Sequence, residues 1–296
     1  MKWENFVVTL ESSERIAANL LRARFAVGGG TGPGYLPIAP GDESIAFYFS
    51  GDAEELHART STNPKALGGW EIVDDDRSAG HRNYTIRSYD ADRQEMVVDF
   101  ADHPHGPAID WLRQAEPGWR VLAAGPRSWY APPTHLTHHV LAGDLAALPA
   151  LARILESTPD GVRVTVVAEI LDRSELAYLP ERADTTTIEL IGGNGRSESR
   201  LATALPDLDL GDDAYCWLAG EAADTRAAKK HLRGIGWGRE RYDIVGYWRA
   251  NAEEWTRRFE AGADRYRKVY QDALTSGRSP EEALDYYESV LESEGL

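Results

Sequence analysis

The sequence predicts a two-domain α/β protein: an antiparallel six-stranded β-barrel, then a parallel-sheet domain, then a helical extension. In the first 130 residues, short segments rich in β-branched and aromatic residues alternate with Gly, Pro and Asp, which is typical of antiparallel barrels. From His138 onward, short strands alternate with helix-length segments, which indicates βαβ units. After Arg249, aromatic residues recur at helical spacing. The predicted boundaries are 1–132, 133–250 and 251–296.

Six segments of the first domain have the length and composition of barrel strands. Turn-forming clusters such as Gly28–Gly34 and Pro40–Asp42 separate them. The predicted strands are 6–10, 20–27, 45–49, 83–89, 96–100 and 121–124.

The second domain has the pattern of a nucleotide-binding parallel sheet, in which ligands collect at the carboxyl ends of the strands. Its predicted strands are 139–142, 162–170, 186–191, 214–219 and 244–248, with helices over 146–156 and 225–232.

Two helices are predicted in the extension. The first has aromatic residues at near-helical spacing from Trp255 and ends at Gly277. The second begins at Ser279, with Pro280 at its first position and Glu282 completing a capping box.

Composition excludes several classes of protein. Cys216 is the only cysteine, so an intramolecular disulfide, a cysteine-ligated iron–sulfur cluster and a cysteine-based zinc site are ruled out, and redox chemistry needs an organic cofactor. The net charge of −16 argues against nucleic-acid and anionic-membrane partners. No apolar run approaches the roughly 20 residues of a membrane span, and no secretory signal begins the chain, so a cytoplasmic location is expected.

The segment 82–87 is the most informative for chemistry. It lies in a predicted strand after the acidic residues 74–76, and alternation puts Arg82 and Tyr84 on one face and Thr85 and Arg87 on the other. Such a strand offers a flavin a guanidinium for its pyrophosphate, an aromatic face for its ring and a hydroxyl for a ring nitrogen. By pattern alone, the same residues also suit an ordinary strand without a ligand.

The run Arg-x-Tyr-Thr-x-Arg resembles the flavin signature of the ferredoxin reductase superfamily in its siderophore-interacting branch. Further motifs of that branch follow in the same order, and the resemblance covers roughly residues 5 to 249. These motifs are Val98–Phe100, His103, Gly106–Ala108, Trp111, Leu141–Asp144, Trp217–Glu221 and Gly246–Arg249.

The resemblance implies an FAD-dependent enzyme that releases iron by reducing ferric siderophores. Arg82 would contact the FAD pyrophosphate, Tyr84 would stack on the isoalloxazine ring, and Thr85 would hydrogen-bond near its reactive nitrogen. His105 is the alternative to His103, because the loop before Gly106 is one residue shorter than in the family. The other residues assigned to FAD are Arg87, Asp99, Phe100, His103, Gly106, Pro107, Ala108 and Trp248.

A nicotinamide site is implied where the first strand of the second domain ends, at Gly143 and Asp144, and at the turn that contains Glu221. There is no G-x-G-x-x-G fingerprint, and the glutamate and threonine usual in the family after that aspartate are absent. Glu169, at the end of the second strand, would accept hydrogen bonds from a ribose diol and repel a 2′-phosphate. NADH is therefore the expected donor, with NADPH as the alternative.

A ferric siderophore is often anionic, so cationic side chains at the pocket mouth are expected. Arg249 is the first candidate, followed by Arg127 and Lys65. No catalytic acid or base and no protein metal ligand is required. The alternatives are a flavoprotein that takes electrons from ferredoxin, a non-enzymatic cytoplasmic siderophore-binding protein, and an unrelated protein of similar architecture that binds no flavin.

Overall fold

The computed structural model describes residues 4–28, 35–38, 41–49, 58–62, 70–72 and 81–296. The chain divides into two compact units, Met1–Tyr247 and Trp248–Leu296. Lys65, a predicted siderophore contact, lies outside the described residues. No helix in the described ranges is long and apolar enough to cross a membrane.

A closed antiparallel barrel forms the first half of the larger unit, with the strand order β1-β2-β7-β6-β3-β8. Its strands, together with the separate pair β4 and β5, are β1 (Glu4–Ala17), β2 (Leu20–Gly28), β3 (Ser44–Tyr48), β4 (Ala58–Thr60), β5 (Trp70–Ile72), β6 (His81–Asp90), β7 (Glu95–Ala101) and β8 (Arg120–Arg127). Strand β1 closes the barrel by pairing with both β2 and β8. Phe6 and Val8 point into the barrel core, whereas Val7 between them packs against Leu122 outside it.

A helix that the sequence analysis did not predict, α1 (Pro107–Gln114), follows β7. It begins with a proline at its first turn, where the missing N–H has no intrahelical partner to lose. Ile109 and Trp111 bury its apolar face against the barrel. Eight residues between two strands are too few for a clear helical period, so its formation depends on this packing.

The second half of the unit is a five-stranded sheet with the order β11-β10-β9-β12-β13. Its elements are β9 (His138–Gly143), α2 (Leu148–Ser157), β10 (Arg163–Ile170), β11 (Thr185–Ile191), α3 (Leu201–Ala204), β12 (Ala214–Glu221), α4 (Ala222–Gly234) and β13 (Tyr242–Trp248). Strand β9 pairs in parallel with both β10 and β12, and all its residues are buried because helices cover both faces of the sheet.

The smaller unit is a hairpin of α5 (Ala252–Thr275) and α6 (Pro280–Ser293). Tyr266, Leu291 and Leu296 form its buried core. The predicted capping box is confirmed: Ser279 accepts a hydrogen bond from the Glu282 N–H, and the Glu282 carboxylate accepts one from the Ser279 N–H. The predicted fold class of barrel, parallel sheet and terminal helices is also confirmed. The domain boundaries stay predictions.

Asp42 joins the barrel to the sheet through a fully buried carboxylate. Its Oδ1 accepts hydrogen bonds from the Ser128 hydroxyl at 2.6 Å and from the N–H groups of Trp129 and Tyr130 at 2.9 Å each. Its Oδ2 accepts one from Trp217 Nε1 at 3.0 Å. The Asp42 carboxylate, in the loop before β3, thus binds both the connection after β8 and the strand β12.

We expect Asp42→Ala to lower the free energy of unfolding by about 3 to 4 kcal/mol, because the buried Trp217 indole and three partly buried donors lose their acceptor together. Chemical denaturation followed by tryptophan fluorescence measures this change. Asp212→Ala, which removes an exposed carboxylate, is the matched control and should have little effect. A similar loss in both variants would contradict the role assigned to Asp42.

His139 lies buried at the start of the central strand, with its Nδ1 2.8 Å from the Tyr130 hydroxyl. Burial is the largest effect on its titration and lowers the pKa of His139 from 6.5 to about 4. The nearby His138 and Arg182 act in the same direction. The folded protein therefore keeps this imidazole neutral at pH values where the unfolded chain binds a proton.

Between pH 6.5 and about 4, protonation of His139 in the unfolded chain should remove up to about 3 kcal/mol of stability as the pH falls. His139→Gln should flatten the dependence of the melting temperature on pH in that window, relative to the wild type. His135→Gln changes an exposed histidine and should keep the wild-type slope. Identical slopes in all three proteins would show that His139 does not titrate in this way.

Candidate functional site

Strand β6 contains the predicted flavin signature, and its side chains alternate between the two faces of the strand as predicted. The Tyr84 ring is half-buried and packs toward the barrel core, with its centroid 4.5 Å from that of Phe100. Thr85 and Arg87 face the opposite way, toward the parallel-sheet domain. The Phe100 ring itself is fully buried in the barrel core.

Two predicted FAD contacts, Arg87 and Asp99, are engaged in ion pairs. Arg87 pairs with a residue of the sheet domain, whereas Asp99 pairs with Arg22 inside the barrel and contacts the sheet domain through Tyr178. Arg87 donates to both carboxylate oxygens of Glu156 on α2, at 2.9 and 2.5 Å. Asp99 accepts two hydrogen bonds from Arg22, at 2.8 and 2.7 Å, and one from the Tyr178 hydroxyl at 2.5 Å. These pairings balance the charges of both residues, which contribute to the contact between the barrel and the sheet domain. A role of either residue in binding FAD stays a prediction.

Arg127, a predicted siderophore contact, lies beside the flavin signature. Its guanidinium donates to the Asn83 side chain and lies 5.2 Å from the centroid of the Trp129 ring. Its Cα is opposite that of Ser44 in the pairing of β8 with β3. Ser44 is in turn opposite Thr85 in the pairing of β3 with β6. The structure therefore brings a cation to the face of the barrel that presents Thr85.

The second flavin segment forms the entry to α1. Gly106 has φ 155° and ψ 152°, a conformation almost restricted to glycine. A Cβ at this position would lie 2.5 Å from Cε1 of His103, so the His103 ring lies directly against the glycine. Trp111 of α1 contacts Phe49, which also contacts Tyr84. This aromatic cluster joins the two predicted flavin segments.

At the carboxyl edge of the sheet, the ends of β9 and β12 meet as predicted, with Gly143 paired to Ala219. The Asp144 side chain is buried there and accepts a hydrogen bond from the Ala146 N–H at 3.0 Å. A Cβ on Gly220 would lie 2.9 Å from its Oδ2, so the glycine leaves room for this carboxylate. Glu221 instead caps α4, by accepting from the N–H groups of Ala223 and Asp224.

A loop that the sequence analysis missed, residues 192–195, lies over the same edge. All four residues have positive φ, which the composition Gly-Gly-Asn-Gly permits and signals. Asn194 joins two strand ends: its side chain accepts from the Leu145 N–H at 2.8 Å and donates to the Glu169 carbonyl at 3.1 Å.

Glu169 does not present its carboxylate to a ribose, as the preference for NADH assumed. The side chain is buried beneath the loop, and Oε1 accepts from the Arg200 N–H at 2.6 Å. Burial also raises the pKa of Glu169. The sequence argument for NADH over NADPH therefore loses its basis.

Two predicted contacts, Trp248 and Arg249, belong to the smaller unit. Within it, the Arg249 guanidinium lies 4.2 Å from the centroid of the Trp255 ring. Their roles toward FAD and the siderophore stay predictions.

Comparison with known proteins places this geometry in a family. Residues 9–130 match the family model described as siderophore-interacting FAD-binding domain, and residues 136–251 match the one described as siderophore-interacting protein. The chain belongs to the siderophore-interacting protein family. FAD is the cofactor of its barrel domain.

Among its curated relatives is the ferric vibriobactin reductase ViuB of Vibrio cholerae, 28% identical over 178 residues that cover 58% of this chain and 66% of the reductase. The NADPH-dependent ferric-chelate reductase of Escherichia coli is 28% identical over 174 residues, 57% of this chain and 66% of that protein. The chain thus spans slightly less than two thirds of either reductase. A siderophore-interacting protein from Acinetobacter baumannii shares the fold, with a TM-score of 0.68, 21% identity, and coverage of 89% of this chain and 99% of that one.

The residues around β6 fit FAD. Thr85 is 4% exposed, and its hydroxyl has no hydrogen-bond partner among the described residues, as expected of a donor kept for a ligand. Gly106 has no side chain, and a Cβ there would displace the His103 ring. Its bare backbone can therefore approach a ligand closely. Arg82, exposed at the start of the strand, supplies a charge that suits a pyrophosphate.

Gly106→Ala should destabilise the protein by about 1 to 3 kcal/mol, because a non-glycine residue is strained at this backbone conformation, and should weaken FAD binding by moving the His103 ring. FAD titration and thermal melting measure both effects. Gly28→Ala is the control, since its Cβ would meet no atom within 4 Å.

The same titration distinguishes the two histidines. His103→Ala should weaken FAD binding, whereas His105→Ala should not. The reverse order would assign the contact to His105.

Proposed function

We propose that this chain is an FAD-dependent ferric-siderophore reductase that takes electrons from a reduced nicotinamide nucleotide and releases iron in the cytoplasm. The single observation that best supports this is the place of Tyr247 on β13. Its hydroxyl is buried beside Thr85 of the flavin signature. Burial raises the pKa of Tyr247, and the carboxylates of Asp42 and of Asp144, a residue of the predicted nicotinamide site, act in the same direction. The position of Tyr247 therefore supports a flavin site that adjoins the nicotinamide site.

The overall reaction needs no acid or base from the protein. One NAD(P)H reduces two Fe(III) ions to Fe(II) and yields NAD(P)⁺ and one proton. When bound, FAD accepts two electrons as a hydride and passes them on singly, which neither a nicotinamide nor a side chain does. Siderophores bind Fe(II) far more weakly than Fe(III), so reduction releases the metal.

The protein residues position the reactants. Arg82 would pair with the FAD pyrophosphate, and the Gly106 backbone would approach it closely. Gly143, Asp144 and Gly220 would line the nicotinamide site at the carboxyl edge of the sheet. Arg127 would attract an anionic siderophore to the face that presents Thr85. Because Glu169 is buried, its carboxylate gives no reason to prefer NADH over NADPH. The preference is measured directly in the next experiment.

The deciding experiment is an anaerobic spectrum of the FAD-loaded protein during addition of NADPH and, separately, NADH. Bleaching of the flavin bands, followed by their return when a ferric siderophore is added and Fe(II) is trapped by a chromogenic chelator, is the expected result. Bands bleached by reduced ferredoxin alone would identify a protein donor instead. Bands that no donor bleaches would favour a siderophore-binding protein without turnover.

Arg82→Ala should raise the dissociation constant of FAD about ten- to hundred-fold, the effect of losing a hydrogen-bonded charge pair. Fluorescence titration of the apoprotein with FAD measures it. Arg93→Ala removes an exposed arginine from the turn between β6 and β7 and should leave FAD affinity unchanged. Unaltered affinity in Arg82→Ala would remove this arginine from the FAD site.

A further inference from the structure

Three buried hydroxyl groups lack hydrogen bonds at the junction of the barrel and the sheet. They belong to Ser44, Thr85 and Tyr247, and none of them has a hydrogen-bond partner within the described part of the chain. Ser44 is 3% exposed and Thr85 4%. A buried hydroxyl without a partner destabilises the folded protein, so such groups are rare and call for an explanation.

The three hydroxyls converge although they come from three different strands. Ser44 on β3 is directly opposite Thr85 on β6, and both face away from the barrel core. Tyr247 on β13 lies close enough to Thr85 for its hydroxyl to influence the titration of the phenol. The Tyr247 ring also lies edge-on to Trp217, at a centroid distance of 6.3 Å. Trp217 is bonded to Asp42, two residues before Ser44.

The neighbouring carboxylate and amide oxygens, in contrast, have hydrogen-bond partners. Asp42 accepts four hydrogen bonds. Glu43 accepts from the Ile38 N–H at 2.9 Å and from Arg153 at 3.1 Å. The Asn83 side chain accepts from Arg127. The three hydroxyls remain able to donate, since burial raises the pKa of the Tyr247 phenol.

We infer that Ser44 and Tyr247 act with Thr85 as one polar site that binds the edge of the FAD ring system, where nitrogen and carbonyl acceptors lie side by side. This inference rests on the proposed function, because Thr85 marks the flavin position. It adds two residues outside the signature motif, one from each domain. The FAD ring would then be held by both domains at once.

The inference predicts opposite effects on the free and the FAD-bound protein. Ser44→Ala and Tyr247→Phe each remove a hydroxyl that is unpaired without FAD, so the melting temperature of the apoprotein should stay the same or rise. Each should raise the dissociation constant of FAD about five- to ten-fold, and so reduce the increase in melting temperature that saturating FAD produces. The absorption maxima of bound FAD should also shift, because its hydrogen bonds change.

Tyr130→Phe is the matched control, since its hydroxyl is 2.8 Å from His139 Nδ1. It should lower the melting temperature of the apoprotein and leave FAD affinity and the flavin spectrum unchanged. The measurements use the full chain, stripped of FAD and titrated with it again.

The outcomes separate this inference from the proposed function. Ser44→Ala and Tyr247→Phe proteins that bind FAD like the wild type would overturn the three-hydroxyl site alone. Loss of apoprotein stability in both variants without a change in FAD affinity, as in Tyr130→Phe, would assign the hydroxyls to ordered water within the fold and would also overturn it. A wild-type chain that binds no FAD would overturn the proposed function as well.

Discussion

A single buried carboxylate, Asp42, determines how the barrel meets the parallel sheet. It accepts hydrogen bonds from the connection after β8 and from Trp217 on β12, and it lies just before β3. Inside a protein such hydrogen bonds are stronger than in water, and a buried polar group that lacks its partner is correspondingly destabilising. The position of β3, and with it the place of Ser44 opposite Thr85, therefore depends on this carboxylate.

Further charged and polar contacts join the barrel to the sheet, beside apolar packing such as that of Leu20 in the core of the sheet domain. Glu43 pairs with Arg153, and Arg87 with Glu156. Asp99 joins Arg22 to Tyr178. Directional pairs of this kind fix the geometry between two layers more narrowly than apolar packing, because each bond tolerates little change in distance or angle. The proposed binding of FAD by both domains needs such a fixed geometry.

The barrel and the sheet each contribute part of the candidate site. The barrel contributes the flavin signature and a nearby arginine, Arg127, and the sheet contributes the carboxyl edge with Asp144. Tyr247 lies between them. A chain with a net charge of −16 attracts few anions over most of its surface, so Arg127 is a local cation in an acidic protein.

Local sequence patterns were sufficient to predict the strand alternation of β6, the succession of barrel and parallel sheet, the capping box at Ser279 and the family motifs, because each of these is a pattern of residues close together in the chain. Three other features became visible in the folded chain alone: Arg127 lies beside Asn83, Glu169 is buried beneath residues 192–195, and Ser44, Thr85 and Tyr247 converge. These contacts join residues from separate strands. Local periodicity specifies which face a side chain is on, whereas its partner across the fold is set by the packing of whole layers.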